Sequence, residues 1–515
     1  MKKIYILIMY SLLATALHAQ DGFGTYLRDV IQKQEKGILV TAKLIEACGL
    51  CDSLDLIMDY EYEKRYQKGE IPYSIDLYNN GFSESGYAYA PKHRYYGYTL
   101  FAESDELWES LIGKQYASIT ADDVKSYLVT SGMLPSARNN NDYQDENNVL
   151  NQFVTYHLLP YRLAADKLVN HINEYGYSIS NPAMLTIPVT EYYVTMGKRR
   201  LLRTYESKES NGVYINRFPQ EDKSRQGSGH EISCDPDKEG IFIDTQKSIF
   251  DIRNAIVYPI NKVLAYTEDV AKQFGLTRLR FDISGLFPEL SNNDIRLKRS
   301  NAETSKYVYI PNVREYPYLA DLDINEQAYV IYSNAWNSGY NNLNSDEMKA
   351  SGYYDITLRL PPIPKRATYE IRYKVLANSY RGIAHVYFGT NKESLHPVGI
   401  PIDFSKGADS QSASQYGWQA DRGEGYADQM TDNEMHYNGV MKGVKSIYGT
   451  GRGTEREDTR CIRHILVRQL LDPDQTYYLR FKTVLDNPRK ELFMDYIEFC
   501  PREVYDNPDE PEDIW

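Results

Sequence analysis

The sequence predicts an α+β domain followed by an antiparallel β-sandwich of the jelly-roll type. The chain has 515 residues. A single hydrophobic core rarely supports a chain of this length, so at least two domains are expected. Its first half mixes helical and strand patterns. Its second half alternates apolar and polar residues with period two, which is typical of antiparallel sheets with one dry and one wet face.

The first half predicts its elements in a clear order. Gly37 to Gly49 has the apolar spacing of a helix, and Tyr98 to Glu103 is a short strand that leads to Ser104, a residue type that caps helices. Thr120 begins a further helix, and another runs from Val149 to Pro160. The pattern then turns to strands at 212–216 and 254–264.

These residues resemble fasciclin-like domains. Four motifs occur in the family's order: Gly49-Leu50 at a helix end, Thr99 to Asp105 with Phe101 in the strand-to-helix turn, Tyr156-His157 at a helix end, and a last strand that begins at Asn254. The resemblance covers about Leu27 to Tyr266 and implies an α+β fold. The sequence departs from the family pattern at Glu103, where proline is usual, and at Tyr258, where histidine is common.

The predicted boundaries divide the chain into five parts. Residues 1–19 are a signal peptide, 27–268 the fasciclin-like domain, 269–325 a connecting segment, 326–505 the β-sandwich and 506–515 an acidic tail. The fasciclin-like domain carries two insertions, near 67–95 and 220–239, that minimal versions lack.

The second half is predicted from strand alternation. Clear examples run from Tyr354 to Leu360 and from Tyr369 to Val375, and further strands are expected at 384–388, 462–467, 477–484 and 493–499. The run 494–499 resembles the last strand of galactose-binding-like sandwiches, the shape of many carbohydrate-binding modules. Together with the blocks at 96–108, 151–163 and 477–488, the chain resembles a group of fasciclin-domain proteins from Gram-negative gut-type bacteria, whose context suggests sugar uptake.

The N-terminus has the pattern of a secretory signal. Lys2 and Lys3 precede an apolar run from Ile4 through Leu17, and small residues precede Gln20. The run is too short to cross a bilayer, and no membrane span is expected elsewhere. The first cysteine is Cys48, so no lipoprotein cysteine is expected. We predict export to the periplasm, the outer envelope or the outside medium.

Composition excludes some partners and leaves others open. The net charge of −13 has the wrong sign for a nucleic-acid binder, so no nucleic acid is expected. The 47 tyrosines suit both half-exposed strand positions, which we favour, and wet binding surfaces. Cys48 and Cys51 form a C-x-x-C pair that nothing completes as a metal site, so we predict a structural role and no metal.

No motif for catalysis occurs. The sequence lacks a nucleophile elbow, a zinc-protease motif, a P-loop and a dinucleotide fingerprint, so neither an enzyme nor a cofactor is expected. The family resemblance implies a receptor contact at Tyr156-His157. We favour a buried imidazole instead, because His157 shares a helix face with Phe153 and Val154.

Loop aromatics of the sandwich are the predicted ligand contacts, because sugar rings stack on such side chains while polar neighbours bind hydroxyls. A lid over the end of the sandwich is the alternative. The predicted contacts are Trp336, Tyr340, Tyr380, Arg381 and Trp418.

Three functions remain open at this stage. The first is a non-catalytic adhesion or carbohydrate-binding accessory in glycan capture or uptake at the cell envelope. The second is a protein-protein component of an outer-membrane complex that binds no sugar. The third is a hydrolase, which we rank last because no catalytic motif occurs.

Overall fold

The computed structural model describes residues 26–35, 37–71, 87–89, 93–135, 140–171, 189–207, 209–222, 230–247, 250–297, 307–312, 316–334, 341–408, 416–423, 425–449, 453–485, 487 and 489–515. These residues form a β-rich α+β fold, in agreement with the predicted mixture of helices and antiparallel sheets. The predicted signal peptide, residues 1–19, lies outside them.

The helices and strands of this part of the chain are as follows. The α-helices are α1 Leu27–Gln32, α2 Leu39–Ala47, α3 Cys51–Leu54, α4 Tyr60–Gln67, α5 Asp105–Ile112, α6 Ala121–Thr130, α7 Val149–Tyr156, α8 Glu268–Phe274, α9 Pro288–Asn292, α10 Gly425–Tyr437 and α11 Arg502–Tyr505. The strands are β1 Tyr87–Tyr89, β2 Tyr98–Glu103, β3 Leu158–Leu159, β4 Val189–Val194, β5 Leu201–Ser207, β6 Gly212–Ile215, β7 Gln220–Asp222, β8 His230–Ser233, β9 Ile241–Ile243, β10 Phe250–Ile252, β11 Ala255–Ile260, β12 Leu279–Asp282, β13 Tyr307–Ile310, β14 Leu322–Ile324, β15 Ala328–Asn334, β16 Asp346–Gly352, β17 Asp355–Arg359, β18 Ala367–Leu376, β19 Ile383–Gly389, β20 His396–Pro397, β21 Ile402–Asp403, β22 Val440–Lys442, β23 Tyr448–Gly449, β24 Gly453–Thr454, β25 Cys461–Leu471, β26 Tyr478–Thr483, β27 Leu492–Met494 and β28 Tyr496–Pro501.

The N-terminal part, residues 26–266, is built on sheet I. Its strand order is β3-β2-β11-β9-β6-β5-β4, and β10 also pairs with β11. Strands β2 and β11 are parallel, with Tyr98 opposite Ala255. Leu100 and Val257 face the apolar cluster beneath the helices, whereas Phe101 and Tyr258 face a second cluster on the other side. Because side chains alternate between the two faces of a strand, both faces of sheet I are buried at its central strands.

Local signals place the helix starts where the sequence predicts them, but the helix predicted from Val149 to Pro160 ends at Tyr156, because Leu158 and Leu159 pair with β2 as strand β3. The Ser104 hydroxyl accepts a hydrogen bond from the backbone N–H of Leu107 at 3.1 Å and begins α5. Thr120 and Asp123 form a reciprocal capping box at the start of α6. Gly113 ends α5 in the left-handed region, at φ 75°, which glycine adopts without steric cost.

The C-terminal part, residues 267–515, contains two antiparallel sheets that share a core. Sheet II has the order β12-β28-β18-β25-β22, and sheet III has the order β14-β17-β26-β19-β20, with β21 beside β19. The ring of Tyr373 in sheet II lies 4.8 Å from the ring of Phe481 in sheet III. Strand β12 comes from the predicted connecting segment and pairs with β28, Leu279 opposite Phe499.

Sheet IV connects the two parts of the chain. Its order is β1-β13-β15-β16-β27, and β1, which lies in the predicted insertion near 67–95, runs parallel to β13. Beside it, the Arg94 guanidinium donates hydrogen bonds to the main-chain oxygens of Pro317 and Tyr318 at 2.9 and 3.0 Å and pairs with Asp59. One apolar cluster includes side chains of both parts, so they pack as neighbours: Leu201, Phe218, Phe281 and Phe499.

Candidate ligand-binding cleft

A large polar cleft lies between the N-terminal and C-terminal parts of the chain. Its volume is about 1000 Å³. Strands β4, β5, β7 and β8 supply one wall, and β12, the end of α8 and the last residues of the chain supply the other. Small-molecule sites occur preferentially in such concave spaces between structural units.

The first wall carries an arginine between aromatic rings. The Arg203 guanidinium carbon lies 4.9 Å from the ring centre of Tyr205 and 4.8 Å from that of Phe218. Its Nη2 donates a hydrogen bond to the Thr190 hydroxyl at 3.2 Å. Tyr192 is its direct cross-strand neighbour. Because opposite residues of an antiparallel pair share a face, Arg203 and Tyr192 lie together on this wall.

The second wall holds arginines that are already paired. Arg278 contacts Glu512 at 2.7 Å and Asp513 at 3.1 Å. Arg280 contacts Glu498 at 2.9 Å. These guanidinium groups are therefore largely neutralised by carboxylates of the protein itself.

The cleft is also lined by a carboxyl group, that of Glu191, which accepts a hydrogen bond from an amide. Asn170 Nδ2 donates to Glu191 Oε1 at 3.0 Å. Burial raises the pKa of Glu191, and the nearby Arg296 opposes this shift only in part. The carboxyl oxygens accept and the amide N–H groups donate hydrogen bonds, and a hydroxyl-rich ligand requires both.

The end of the chain is anchored beside the cleft by buried charges. The predicted acidic tail places Glu512 against Arg372, at 2.6 and 2.8 Å, within reach of Arg278 as well. Burial opposes ionisation of Glu512, but Arg372 and Arg278 outweigh it and hold the pKa of that carboxyl at about 2. The main-chain oxygen of Trp515 accepts a hydrogen bond from the Ser446 hydroxyl at 2.7 Å.

The structure places the predicted loop contacts in different surroundings. Trp336 and Tyr340 lie outside the described residues. Tyr380 is 67% exposed, whereas its neighbour Arg381 is 4% exposed and pairs with Glu491. Trp418 is half-buried against the apolar cluster of Met435 and Val440, with Lys442 Nζ 5.6 Å from its ring. Among the described positions, the structure does not gather these side chains into one site.

The residues of the four sequence motifs that were predicted in the N-terminal part and are named below are buried in its interior. His157 Nδ1 is 2.8 Å from the main-chain oxygen of Phe153, and Nε2 is 2.9 Å from Glu103 Oε1, as expected for a buried imidazole. The Tyr156 hydroxyl donates to the main-chain oxygen of Leu201 at 2.9 Å. These contacts give the pair a structural role.

The remaining motif positions also bind backbone or pack. The Thr99 hydroxyl donates to the main-chain oxygen of Tyr161 at 2.7 Å. Asn254 Oδ1 accepts from the Leu27 N–H at 3.0 Å, which ties α1 to the last motif. The Phe101 ring stacks on Tyr258 at 6.3 Å. Each motif residue thus connects segments that are distant in sequence.

Sequence reasoning missed the cleft, although it singled out one segment that lines it. The predicted insertion near 220–239 forms the β7-β8 hairpin, which contributes Glu221 and Ser233 to the cleft wall. A ligand-binding role of Arg203 could not be predicted from the sequence, because a single arginine in a strand is normally expected to be exposed to solvent. Its surroundings depend on Phe218 and Thr190, which only the fold brings beside it.

Metal ions and reactive thiols are two other kinds of functional group that a protein can use. Within the described ranges, no group of three or more His, Cys, Asp or Glu side chains is arranged to hold a metal ion. All five cysteines lie in the described part of the chain and have free thiols. Burial raises the pKa of Cys48 to about 12, which disfavours the reactive thiolate.

Among the residues that the structure describes, no helix has the length and apolar character needed to span a membrane.

Comparison of the sequence with known protein families and with curated proteins finds no match.

Proposed function

We propose that this protein is a non-catalytic, exported binding protein of the bacterial envelope that captures a saccharide in the cleft between its two parts. In this proposal the N-terminal part is a fasciclin-like domain and the C-terminal part a jelly-roll-like β-sandwich. The signal-like N-terminus and the motif resemblance support export and these assignments.

The lining of the cleft is the observation that carries the proposal. About 1000 Å³ is enough for an oligosaccharide of a few residues, given the usual range of ligand pockets. The walls combine the amides of Asn170 and Asn344 with the carboxyl group of Glu191, and they add aromatic side chains at Tyr192 and Trp515. Amides and carboxyl groups bind hydroxyls, and aromatic faces stack on the C–H faces of sugar rings.

A pair of matched substitutions tests the location of the site. Ser233 is exposed and lines the cleft, so Ser233→Trp fills the cleft with little cost to the fold. Ser379 is exposed beside Tyr380 in the sandwich loop. Ser379→Trp therefore makes the same change next to the ligand contacts that the sequence predicts at Tyr380 and Arg381. We expect wild type and Ser379→Trp to bind on a glycan array and Ser233→Trp to lose the signal.

The opposite pattern, with Ser379→Trp inactive and Ser233→Trp active, would move the site to the sandwich loops. A flat array for all three proteins contradicts saccharide binding. Incubation of wild type with the bound polysaccharide, followed by chromatography, tests the absence of catalysis. Released sugars would make the protein a hydrolase.

A second function is supported by one face of α10. Tyr426, Met430 and Tyr437 lie on the same side of this helix and are 79%, 51% and 91% exposed. Exposed apolar side chains grouped in this way favour a protein-protein role in an outer-membrane complex. Chemical crosslinking in intact cells tests it: a crosslinked partner should disappear with Tyr426→Ser and Tyr437→Ser together, and an unchanged product would argue against this surface.

A further inference from the structure

Among the residues that the structure describes, one cationic side chain of the cleft has no carboxylate as its partner. Four of the described residues that line the cleft are cationic, and three of them pair with acids: Lys238 with Asp235 at 2.8 Å, Arg278 with Glu512 and Asp513, and Arg280 with Glu498. Within the described part of the chain, Arg203 forms no such pair, and its polar contact is the Thr190 hydroxyl.

Arg203 is also buried to an extent that makes this arrangement costly. It is 7% exposed, and its buried Nε–H finds no acceptor in the described part of the chain. A buried donor without an acceptor destabilises the fold, and a buried charge without a partner does so more strongly. A ligand that supplies an anionic acceptor would satisfy both.

The position of the guanidinium is set before any ligand arrives. The rings of Tyr205 and Phe218 lie 4.9 and 4.8 Å from its central carbon, and the backbone N–H of Arg203 donates to Asn216 Oδ1 at 3.1 Å. Such packing reduces the rotamer freedom that would be lost on binding. The planar donor group is suited to two-point contact with a carboxylate.

The surrounding charges limit the anion to a single negative charge. Glu191, Glu221 and Glu510 also line the cleft, and they would repel a doubly charged group such as a phosphate monoester. A carboxylate carries one charge, which Arg203 matches. Neutral hydroxyls of the same ligand can contact the acidic side chains as donors.

From these observations we propose that Arg203 binds a carboxylate of the ligand, so that the saccharide captured in the cleft contains uronic acid residues. This inference rests on the proposed saccharide-binding function and specifies its ligand class.

The test uses the full-length protein and matched ligand pairs. Uronate-containing oligosaccharides, from polygalacturonate, alginate and glucuronoxylan, are compared by titration calorimetry with their carboxyl-reduced forms, which keep the linkages but are neutral. A sulfated galactan and its desulfated form make a third arm. We expect at least one acidic member to bind, and its carboxyl-reduced partner to bind at least about tenfold more weakly.

Variants connect this preference to Arg203. We expect Arg203→Gln to remove the discrimination between the acidic and reduced forms, and Arg203→Lys, which keeps the charge but not the planar fork, to retain part of it. Lys238→Gln removes the same charge from a paired residue in the same cleft and should leave the discrimination intact. Circular dichroism of each variant checks the fold. If Arg203→Gln does not fold, a reduced discrimination in Arg203→Lys still tests the role of Arg203.

The outcomes separate the two proposals. Binding of neutral saccharides in preference to acidic ones overturns the carboxylate inference and leaves saccharide capture standing. Binding of sulfated but not carboxylated members also overturns it. Lys238→Gln and Arg203→Gln could reduce the discrimination between acidic and carboxyl-reduced ligands equally. The preference would then come from the combined electrostatic field of the charged side chains that line the cleft, which contradicts a specific role of Arg203. No binding by any saccharide overturns the proposed function.

Discussion

Glu103 and His157 form a buried contact that joins three sequence motifs: Thr99 to Asp105, Tyr156-His157, and the segment that begins at Asn254. Glu103 Oε1 lies 2.9 Å from His157 Nε2 and also accepts a hydrogen bond from the Leu264 N–H at 2.9 Å. Proline, which is usual at this position in the fasciclin-like domains that the sequence resembles, could make neither contact through its side chain. In this chain the departure therefore has a structural explanation.

We predict that Glu103→Ala destabilises the protein by about 3 kcal/mol, because it leaves the Leu264 N–H and the His157 ring without their buried acceptor. Urea unfolding followed by circular dichroism measures the loss. Glu106→Ala is the control, since Glu106 is exposed in the first turn of α5 and should cost less than about 1 kcal/mol. Equal losses in the two variants would show that the contact contributes little.

We predict that Glu512→Gln costs about 3 kcal/mol at pH 7, because it leaves Arg372 and Arg278 buried with less compensation. The folded-state pKa of Glu512 is about 2, below its ordinary value of 4.5. Its carboxylate therefore stabilises the fold fully above pH 4.5, and this contribution is lost as pH falls from 4.5 towards 2.

The matched control for the tail is Glu510→Gln, an exposed position two residues away. The difference in unfolding free energy between Glu512→Gln and wild type should shrink as pH falls through this window. A difference that does not change with pH would contradict the assigned pKa and point to a loss of packing alone.

We predict that the protein becomes less stable as pH falls from 6.5 towards 4 through His464. Burial lowers the pKa of this imidazole to about 4, so the unfolded chain binds a proton in this range that the folded protein excludes. The contribution is up to about 3 kcal/mol. Urea unfolding at pH 7 and pH 4.5 measures it.

In His464→Gln the pH dependence of unfolding should be weaker in this range. In His396→Gln, which alters an exposed histidine on β20, it should be the same as in wild type. Identical slopes in all three proteins would show that His464 titrates normally in the folded state.

We predict opposite behaviour for the neighbours Tyr380 and Arg381. Arg381→Ala should cost about 3 kcal/mol, because the guanidinium pairs with buried Glu491 and lies 4.3 Å from the Phe493 ring. Tyr380→Ala should change stability by less than about 0.5 kcal/mol, since the side chain is mostly exposed. Thermal unfolding of the two variants tests this, and similar transitions would contradict the difference in burial.

The local structure of this protein could be predicted from its amino-acid sequence. Ser104 and Thr120 mark helix starts because a capping hydroxyl acts within three residues, and the alternation at 369–375 marks β18 because side chains alternate across a strand. It also predicted a buried place for His157, since helix spacing defines which face a residue shares.

The cleft and the pairing of its charges could not be predicted from the sequence, because they depend on contacts between distant segments. Arg203, Phe218, Arg280 and Trp515 are far apart in the chain, and nothing local distinguishes a free arginine from a paired one. The same holds for Arg381, which local composition placed in a surface loop and which the fold buries against Glu491. Burial and pairing of charge depend on which distant segments meet, and that is settled by the packing of the two parts rather than by any short stretch of sequence.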